Sequence, residues 1–217
     1  MDDIYIREKN LYVEAGLSLS DLSWYTVENN IKGFEFLEDI PGTIGGAIIM
    51  NAGTYDDNIG QLISSIEYYD INEDEVIDHK ITETDFKRRT SIFDKKNVII
   101  LNCNFKVQYG DYLESLNELL EIKKDRFKKQ PRNLPNAGSV FKRPKKNGEE
   151  VAVWKYIDEV GLRGFYKNDA MISEKHTGFI VNKGNAKYGD IKYLIDLSKK
   201  KVKKQFNIDL ELEWKII

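Results

Sequence analysis

Apolar positions come in short runs along the first hundred residues, at the spacing of strands. Residues 10–15 (NLYVEA) alternate weakly, as a half-buried strand does. Residues 64–71 (SSIEYYDI), 75–79 and 98–107 (VIILNCNFKV) are rich in Ile, Val, Tyr and Phe, and the polar 72–74 between the first two reads as a turn. Ser20 and Asp21 are the predicted N-caps of a helix running to about residue 29. The expectation for residues 1–108 is a mostly antiparallel sheet with one or two helices. The period then changes. Residues 111–129 (DYLESLNELLEIKKDRFKK) carry Leu113, Leu116, Leu119, Leu120 and Ile122 near helical spacing and predict a surface helix that Pro131 ends. Beyond Gly138, residues 151–160 and 190–203 predict helices, and 178–181 and 210–214 predict strands. The boundary between two units is expected near residues 109–115, giving domains 1–110 and 111–217 of an α+β chain.

Composition adds only limits. The chain has 217 residues, 33 Lys+Arg against 36 Asp+Glu, and a formal charge of −3. A single cysteine, Cys103, excludes an internal disulfide, and two histidines, His79 and His176, argue against a histidine-built metal site. No apolar run suits a bilayer-spanning helix and no secretory pattern opens the chain, so the expectation is a cytoplasmic protein with no membrane partner.

Two stretches carry candidate chemistry. Ile40-Pro41-Gly42-Thr43-Ile44-Gly45-Gly46-Ala47, followed by Met50-Asn51-Ala52-Gly53, is a glycine turn whose backbone N–H groups could face an anion such as a pyrophosphate. It is neither a P-loop nor G-x-G-x-x-G, and packing of a strand on a helix explains the glycines equally well. From Lys123 to Lys146 ten basic residues face the single Asp125, a local charge of +9 in an acidic chain. A solvated face, a nucleic-acid footprint and a small diphosphate ligand all fit such a run. No aromatic residues interleave the charges as stacking on nucleic acid would want, so no nucleic-acid partner is expected. Ser139 lies inside the run, behind a glycine and between cations, where a hydroxyl can act as an acid; taken alone it reads as a turn residue.

The segment from Gly33 to Ala47, continued by Met50–Gly53, resembles the second flavin-binding segment of the UDP-N-acetylenolpyruvoylglucosamine reductase family. Residues 136–144 (NAGSVFKRP) are similar to that family's Gly-Ser-x-Phe-Lys-x-Pro segment, and 86–91 (FKRRTS) to its Phe-x-Tyr-Arg-x-Ser segment. Gly161-Leu-Arg-Gly164, Ser173-Glu-Lys-His176, Phe179-Ile-Val-Asn182 and Gly184-Asn-Ala186 resemble its substrate-domain core. The blocks stand in family order, and the lack of an extra tyrosine-bearing loop resembles the family's shorter variety.

The resemblance implies the second lobe of a PCMH-type FAD-binding domain followed by a C-terminal α/β substrate-binding domain. It implies reduction of UDP-N-acetylglucosamine enolpyruvate to UDP-N-acetylmuramate with NADPH through FAD, in peptidoglycan synthesis. Carried over by position, Ser139 is the proton donor, and Arg89 and Glu213 are the other catalytic residues, with Glu211 the neighbouring alternative. Pro41, Gly42, Thr43, Gly45, Gly46, Ala47 and Asn51 bind the cofactor, and Lys129 and Arg143 bind the substrate. His176, Asn182, Cys103, Trp154 and Tyr156 are read as structural. The resemblance also implies an N-terminal flavin-binding lobe with a Gly-rich loop, and no such loop precedes Gly33. The expectation is therefore half a flavin site, with weak or absent FAD binding. A UDP-sugar-binding remnant and a phosphate-backbone binder are the rival readings. Arg88 stands where the motif has tyrosine, and Leu212 and Lys215 where it has proline and arginine.

Overall fold

The computed structural model describes residues 1–54, 57–146, 148–214 and 216. The chain divides into two compact units, 1–125 and 126–217. The division falls in the last turn of a helix whose start lies close to the expected boundary.

Unit 1 is built on a five-stranded antiparallel sheet. Its strands are β1 (Ile4–Arg7), β2 (Asn10–Glu14), β3 (Ile63–Asp70), β4 (Glu75–Lys80) and β5 (Val98–Lys106). They lie in the order β1-β2-β5-β3-β4. The register pairs Val13 with Cys103 and Ile66 with Cys103, and this sets the inward row of Leu11, Val13, Ile66, Cys103 and Phe105, all fully buried. Period-2 alternation puts those residues on one face. Against them pack helices α1 (Leu19–Glu28) and α2 (Ile44–Met50), which contribute Leu19, Leu22, Ile44 and Ile48 to the same core. Phe34 meets Phe105 edge-on at 5.2 Å between ring centres. Cys103 is buried among these residues, and desolvation of the thiolate pushes its thiol well up, so it is inert.

The strands expected at 10–15, 64–71, 75–79 and 98–107 are all present within a residue or so. The helix cap is not where expected. Ser18, not Ser20 or Asp21, caps α1: its Oγ accepts from the Asp21 N–H at 3.0 Å and donates to the Asp21 carboxylate at 2.6 Å. Ser20 Oγ instead accepts from the Asp39 N–H at 3.3 Å. Ser18 wins because its backbone is extended, the conformation an N-cap needs, while Ser20 already lies inside the helix.

Helix α3 (Tyr112–Lys129) forms where the leucine spacing predicts it, but it buries a different stripe. Ser115 and Leu119 are inside, whereas Leu113 is 62% and Leu120 44% exposed. Within unit 1 the helix is held by Lys123, whose Nζ donates to Glu38 Oε1 at 2.7 Å and lies 5.5 Å from the centre of the Trp24 ring. Glu38 is 1% exposed, so the lysine neutralises a carboxylate that would otherwise be buried alone.

Unit 2 carries a four-stranded antiparallel sheet of β6 (Asn136–Ser139), β7 (Tyr166–Lys167), β8 (Ala170–Ile172) and β9 (Phe179–Asn182), in the order β6-β9-β8-β7. Helices α4 (Val153–Glu159) and α5 (Tyr188–Phe206) bury Val153, Ile157, Leu194, Ile195 and Val202 with Ile172 and Ile180 in its core. Tyr156 joins that core as expected, but Trp154 stays 38% exposed. The strand expected at 210–214 does not form. Only Phe141 and Leu212 make a bridge, flanked by hydrogen bonds from Lys142 N to Glu211 O and from Glu213 N to Val140 O. Lys215 lies outside the described residues.

Lys123→Ala should cost unit 1 about 2 kcal/mol, because it strands a buried carboxylate. Adding Glu38→Gln should recover most of that loss. Urea unfolding followed by Trp24 fluorescence reads both changes, and additive losses would show that the pair is not coupled.

Candidate functional site

In unit 1 the glycine turn leads into α2. Gly42 has φ +129°, a conformation that suits glycine, and a Cβ there would meet nothing within 4 Å. Gly45 is different: a Cβ would stand 3.2 Å from Ala15 Cβ and 3.4 Å from Ala15 O, so this glycine lets α2 lie close on the strand end. A Cβ on Gly46 would have only Thr43 Oγ1 near, at 3.9 Å. The fold therefore needs Gly45 for packing, while Gly46 is exposed and nearly free of neighbours among the described residues.

Part of the expected anion nest is already spent. The N–H groups of Ile44 and Gly45 donate to Leu17 O at 3.0 Å and Ala15 O at 2.9 Å. These bonds fasten the turn to the β2–α1 connection instead of facing a ligand. Asn51, expected beside the cofactor, is 5% exposed and turns its carboxamide inward. Its Nδ2 donates to Lys87 O at 2.9 Å and its Oδ1 accepts from Gly60 N–H at 3.1 Å.

Residues 86–91 form a hairpin in which Phe86 pairs with Ser91 and Lys87 with Thr90. Arg88 and Arg89 make its tip. Arg89 sits at φ +58°, in the left-handed region where a side chain of its kind costs roughly 1 kcal/mol. No ion pair to Arg89 forms among the described residues. Behind the tip, Asp85 is 6% exposed. Burial raises its carboxyl, but hydrogen bonds from Thr82 N–H and His79 Nε2, both 2.8 Å, outweigh it and hold the group below the ordinary carboxylate range. The hairpin borders a cavity of about 620 Å³. Among the described residues, Lys87, Arg88, Arg89 and Lys106 line it against Asp57 and Glu83, a cationic balance suited to an anion.

In unit 2, Ser139 ends β6 and is exposed. Gly138 before it has φ +78°, and the pairing shifts register between Asn136 and Ser139. Such a bulge re-aims the side chain that follows. Asn136 braces the bend, its Oδ1 accepting from Gly138 N–H at 3.1 Å and its Nδ2 donating to Leu134 O at 2.9 Å. The Glu213 N–H donates to Val140 O at 3.0 Å, so Glu213 stands beside the segment that carries Ser139. Glu211 is instead engaged by the Lys142 ammonium. Lys129 closes α3 and Arg143 follows Lys142 on the surface.

The structure thus bonds the backbone of Glu213 to Val140, the residue after Ser139, in unit 2, and puts Arg89 and the glycine turn in unit 1. Of the basic run, Lys123 is engaged by Glu38, Lys124 by Glu121 and Lys142 by Glu211, so its charge is partly neutralised. His176 keeps the structural role expected of it. Its Nδ1 accepts from Gly178 N–H at 3.1 Å and its ring packs on Phe179 at 4.9 Å. Asn182 Oδ1 accepts from Gly184 and Ala186 N–H and holds a loop. Lys87 and Lys106 were not singled out from the sequence. Their only signal was proximity, which linear spacing does not carry.

Residues 2–75 match the family model of the FAD binding domain, and residues 130–217 match that of the UDP-N-acetylenolpyruvoylglucosamine reductase C-terminal domain. A UDP-N-acetylenolpyruvoylglucosamine reductase from Fervidobacterium nodosum is 42% identical over all 217 residues, which span 69% of its length. The protein of that name from Thermosipho melanesiensis is 39% identical over 214 residues, covering 98% of this chain and 72% of its own. The crystal structure of UDP-N-acetylenolpyruvylglucosamine reductase from Thermus caldophilus superposes with a TM-score of 0.79 at 30% identity, covering 94% of this chain and 71% of that one. The chain belongs to the UDP-N-acetylenolpyruvoylglucosamine reductase family.

Two outcomes follow from this geometry. Arg89→Gly should raise the stability of unit 1 by about 0.5–1 kcal/mol in urea unfolding, because glycine accepts the left-handed turn freely; a loss would mean that the arginine is itself a structural tie. His176 is the group of unit 2 whose ordinary pKa lies nearest neutrality among those that the fold shifts. Burial lowers its pKa below the ordinary histidine value, so the folded state holds fewer protons than the unfolded chain. Its contribution is complete above the ordinary value and is lost as pH falls through the folded one. Thermal unfolding should therefore shift down between pH 7.5 and 5, by at most about 1.4 kcal/mol per pH unit from this residue, and His176→Gln should flatten that slope.

Proposed function

We propose that the protein reduces UDP-N-acetylenolpyruvoylglucosamine to UDP-N-acetylmuramate, with NADPH as the electron source and FAD as the carrier, in the cytoplasmic stage of peptidoglycan synthesis. The observation that carries this reading is the 42% identity to a reductase of that name over the whole of this chain. The glycine turn supports it. Gly42 and Gly46 leave exposed backbone that no side chain among the described residues covers closely, and together with Pro41, Thr43 and Ala47 they would hold FAD. The Ile44 and Gly45 N–H groups, already bonded, would not take part. FAD, when bound, supplies two-electron transfer between NADPH and the enolpyruvyl double bond.

The chain's own residues supply the rest. Arg89 would hold the substrate carboxylate with its planar guanidinium and take up the charge that spreads onto that group. A hydride gained at C3 leaves negative charge at C2. The Ser139 hydroxyl would give C2 its proton, the resulting alkoxide being reprotonated from solvent. Glu213, held beside the Ser139 segment through the Val140 carbonyl, would set the local charge. Lys129 and Arg143 would meet the diphosphate. The neutralised lysines of the basic run argue against a nucleic-acid phosphate backbone as the target.

The test is oxidation of NADPH that depends on the enolpyruvyl ether, in protein supplied with FAD. Ser139→Ala should cut turnover by about 100-fold or more while flavin reduction by NADPH is unchanged, in the range typical of losing a proton donor. Full turnover in Ser139→Ala would remove the assigned role. Protein that binds the UDP-sugar but never takes up flavin would be a binding module and would end the reading.

A further inference from the structure

We infer that Asn51 is the positioning residue of Arg89: its buried carboxamide fastens the arginine hairpin to the end of the flavin-side helix, and so links the two halves of the unit 1 site. This rests on the proposed role of Arg89 and goes beyond it.

Among the contacts that hold the hairpin are three within unit 1. Asn51 Nδ2 donates to the carbonyl of Lys87, two residues before Arg89. Ser91 Oγ, two residues after Arg89, donates to Ile49 O at 2.9 Å. Phe86 lies on Gly60, where a Cβ would stand 2.5 Å from the ring. Asn51 touches two of these partners at once, because its Oδ1 accepts from the Gly60 N–H. It is also the left-handed C-cap of α2, at φ 45° and ψ 59°. Asparagine tolerates that conformation better than most residues and carries a donor and an acceptor on one short side chain. The nearest substitutes each miss a requirement: glycine lacks the carboxamide, aspartate lacks the donor, and glutamine is too long for the same reach.

The need for such a tether follows from the tip it serves. A two-residue hairpin with strands this short does not hold itself together. Arg89 also sits in an unfavourable backbone conformation, which persists only where the surroundings over-determine it. Both ends of the tip are therefore hung from α2, through Asn51 before it and Ser91 after it. The guanidinium thereby inherits the position of the helix that the glycine turn begins.

Two variants test this in the full chain. Asn51→Gly keeps the left-handed conformation and loses both hydrogen bonds. Asn51→Asp keeps the acceptor for Gly60 and loses the donor to Lys87. Lys87, Arg88 and Arg89 are three consecutive trypsin sites, so loosening of the hairpin reads directly as cleavage there. Asn51→Gly should raise the cleavage rate at these sites about tenfold over wild type, with Asn51→Asp between the two. Lys123→Ala, a loss elsewhere in unit 1, should leave it within twofold. Equal cleavage in Asn51→Gly and wild type, or an equal rise in Lys123→Ala, overturns the tether.

The second arm is a double-mutant cycle on the dissociation constant of UDP-N-acetylenolpyruvoylglucosamine, by calorimetry. Asn51→Gly should weaken binding about tenfold when Arg89 is present and less than twofold in an Arg89→Ala background. Independent, multiplying effects would overturn positioning, because a merely structural residue acts whether or not the arginine is there. If wild-type protein does not bind this ligand, the proposed function fails, and the cleavage rates alone decide whether Asn51 holds the hairpin.

Discussion

Unit 1 depends on how closely one short helix approaches the sheet. A side chain at Gly45 would meet Ala15 at van der Waals limits, and the neighbouring N–H groups of Ile44 and Gly45 are tied to the chain just beyond β2. That contact fixes where α2 starts, and the helix length fixes where Asn51 falls. The arginine hairpin hangs from that end. A displacement of α2 would therefore move the glycine turn and Arg89 together. The rest of unit 1 serves to keep this helix in register: the buried row of β2, β3 and β5 supplies the floor, and Lys123 neutralises Glu38, just ahead of the turn.

The chemistry is distributed by unit. Unit 1 offers exposed backbone at Gly42 and Gly46 and a cationic cavity at the hairpin; unit 2 offers an exposed hydroxyl at the end of a bulged strand, with the backbone of Glu213 bonded to the residue after it. Each device uses the local feature that suits it. The glycines remove side chains where a flat ligand would approach. The bulge at Gly138 turns Ser139 out of a regular ladder. The basic run looked like one field of charge in the sequence, but in the fold several of its lysines are claimed by Glu38, Glu121 and Glu211, and it acts as a set of local ties.

The sheet was legible because its strands follow period-2 patterns that packing then enforces, from Leu11 and Val13 to Cys103 and Phe105. The family was legible because several motifs stand in order, each weak by itself. What the sequence hid was decided by tertiary partners. Ser18 outcompetes Ser20 as a cap because of backbone conformation, not residue type. The leucines of α3 suggested one buried face, yet Ser115 and Leu119 are the buried positions while Leu113 and Leu120 stay exposed. Residues 210–214 have the composition of a strand but find a single bridge to Phe141, and composition alone does not supply a partner edge. Asn51 was readable as important and not as a tether, since its partners are 9 and 36 residues away.

Arg89 brings these threads to one point. A left-handed turn position selects glycine or asparagine when stability alone decides. An arginine there, beside a cationic cavity and without an ion pair among the described residues, costs stability that glycine or asparagine would not. Such an arrangement is retained where something outside the protein completes it, and an anion is the ligand that would do so. The tether at Asn51 and Ser91 then has a physical reason. A tip held in a left-handed conformation would otherwise relax by local opening, and bonding both of its ends to α2 prevents this.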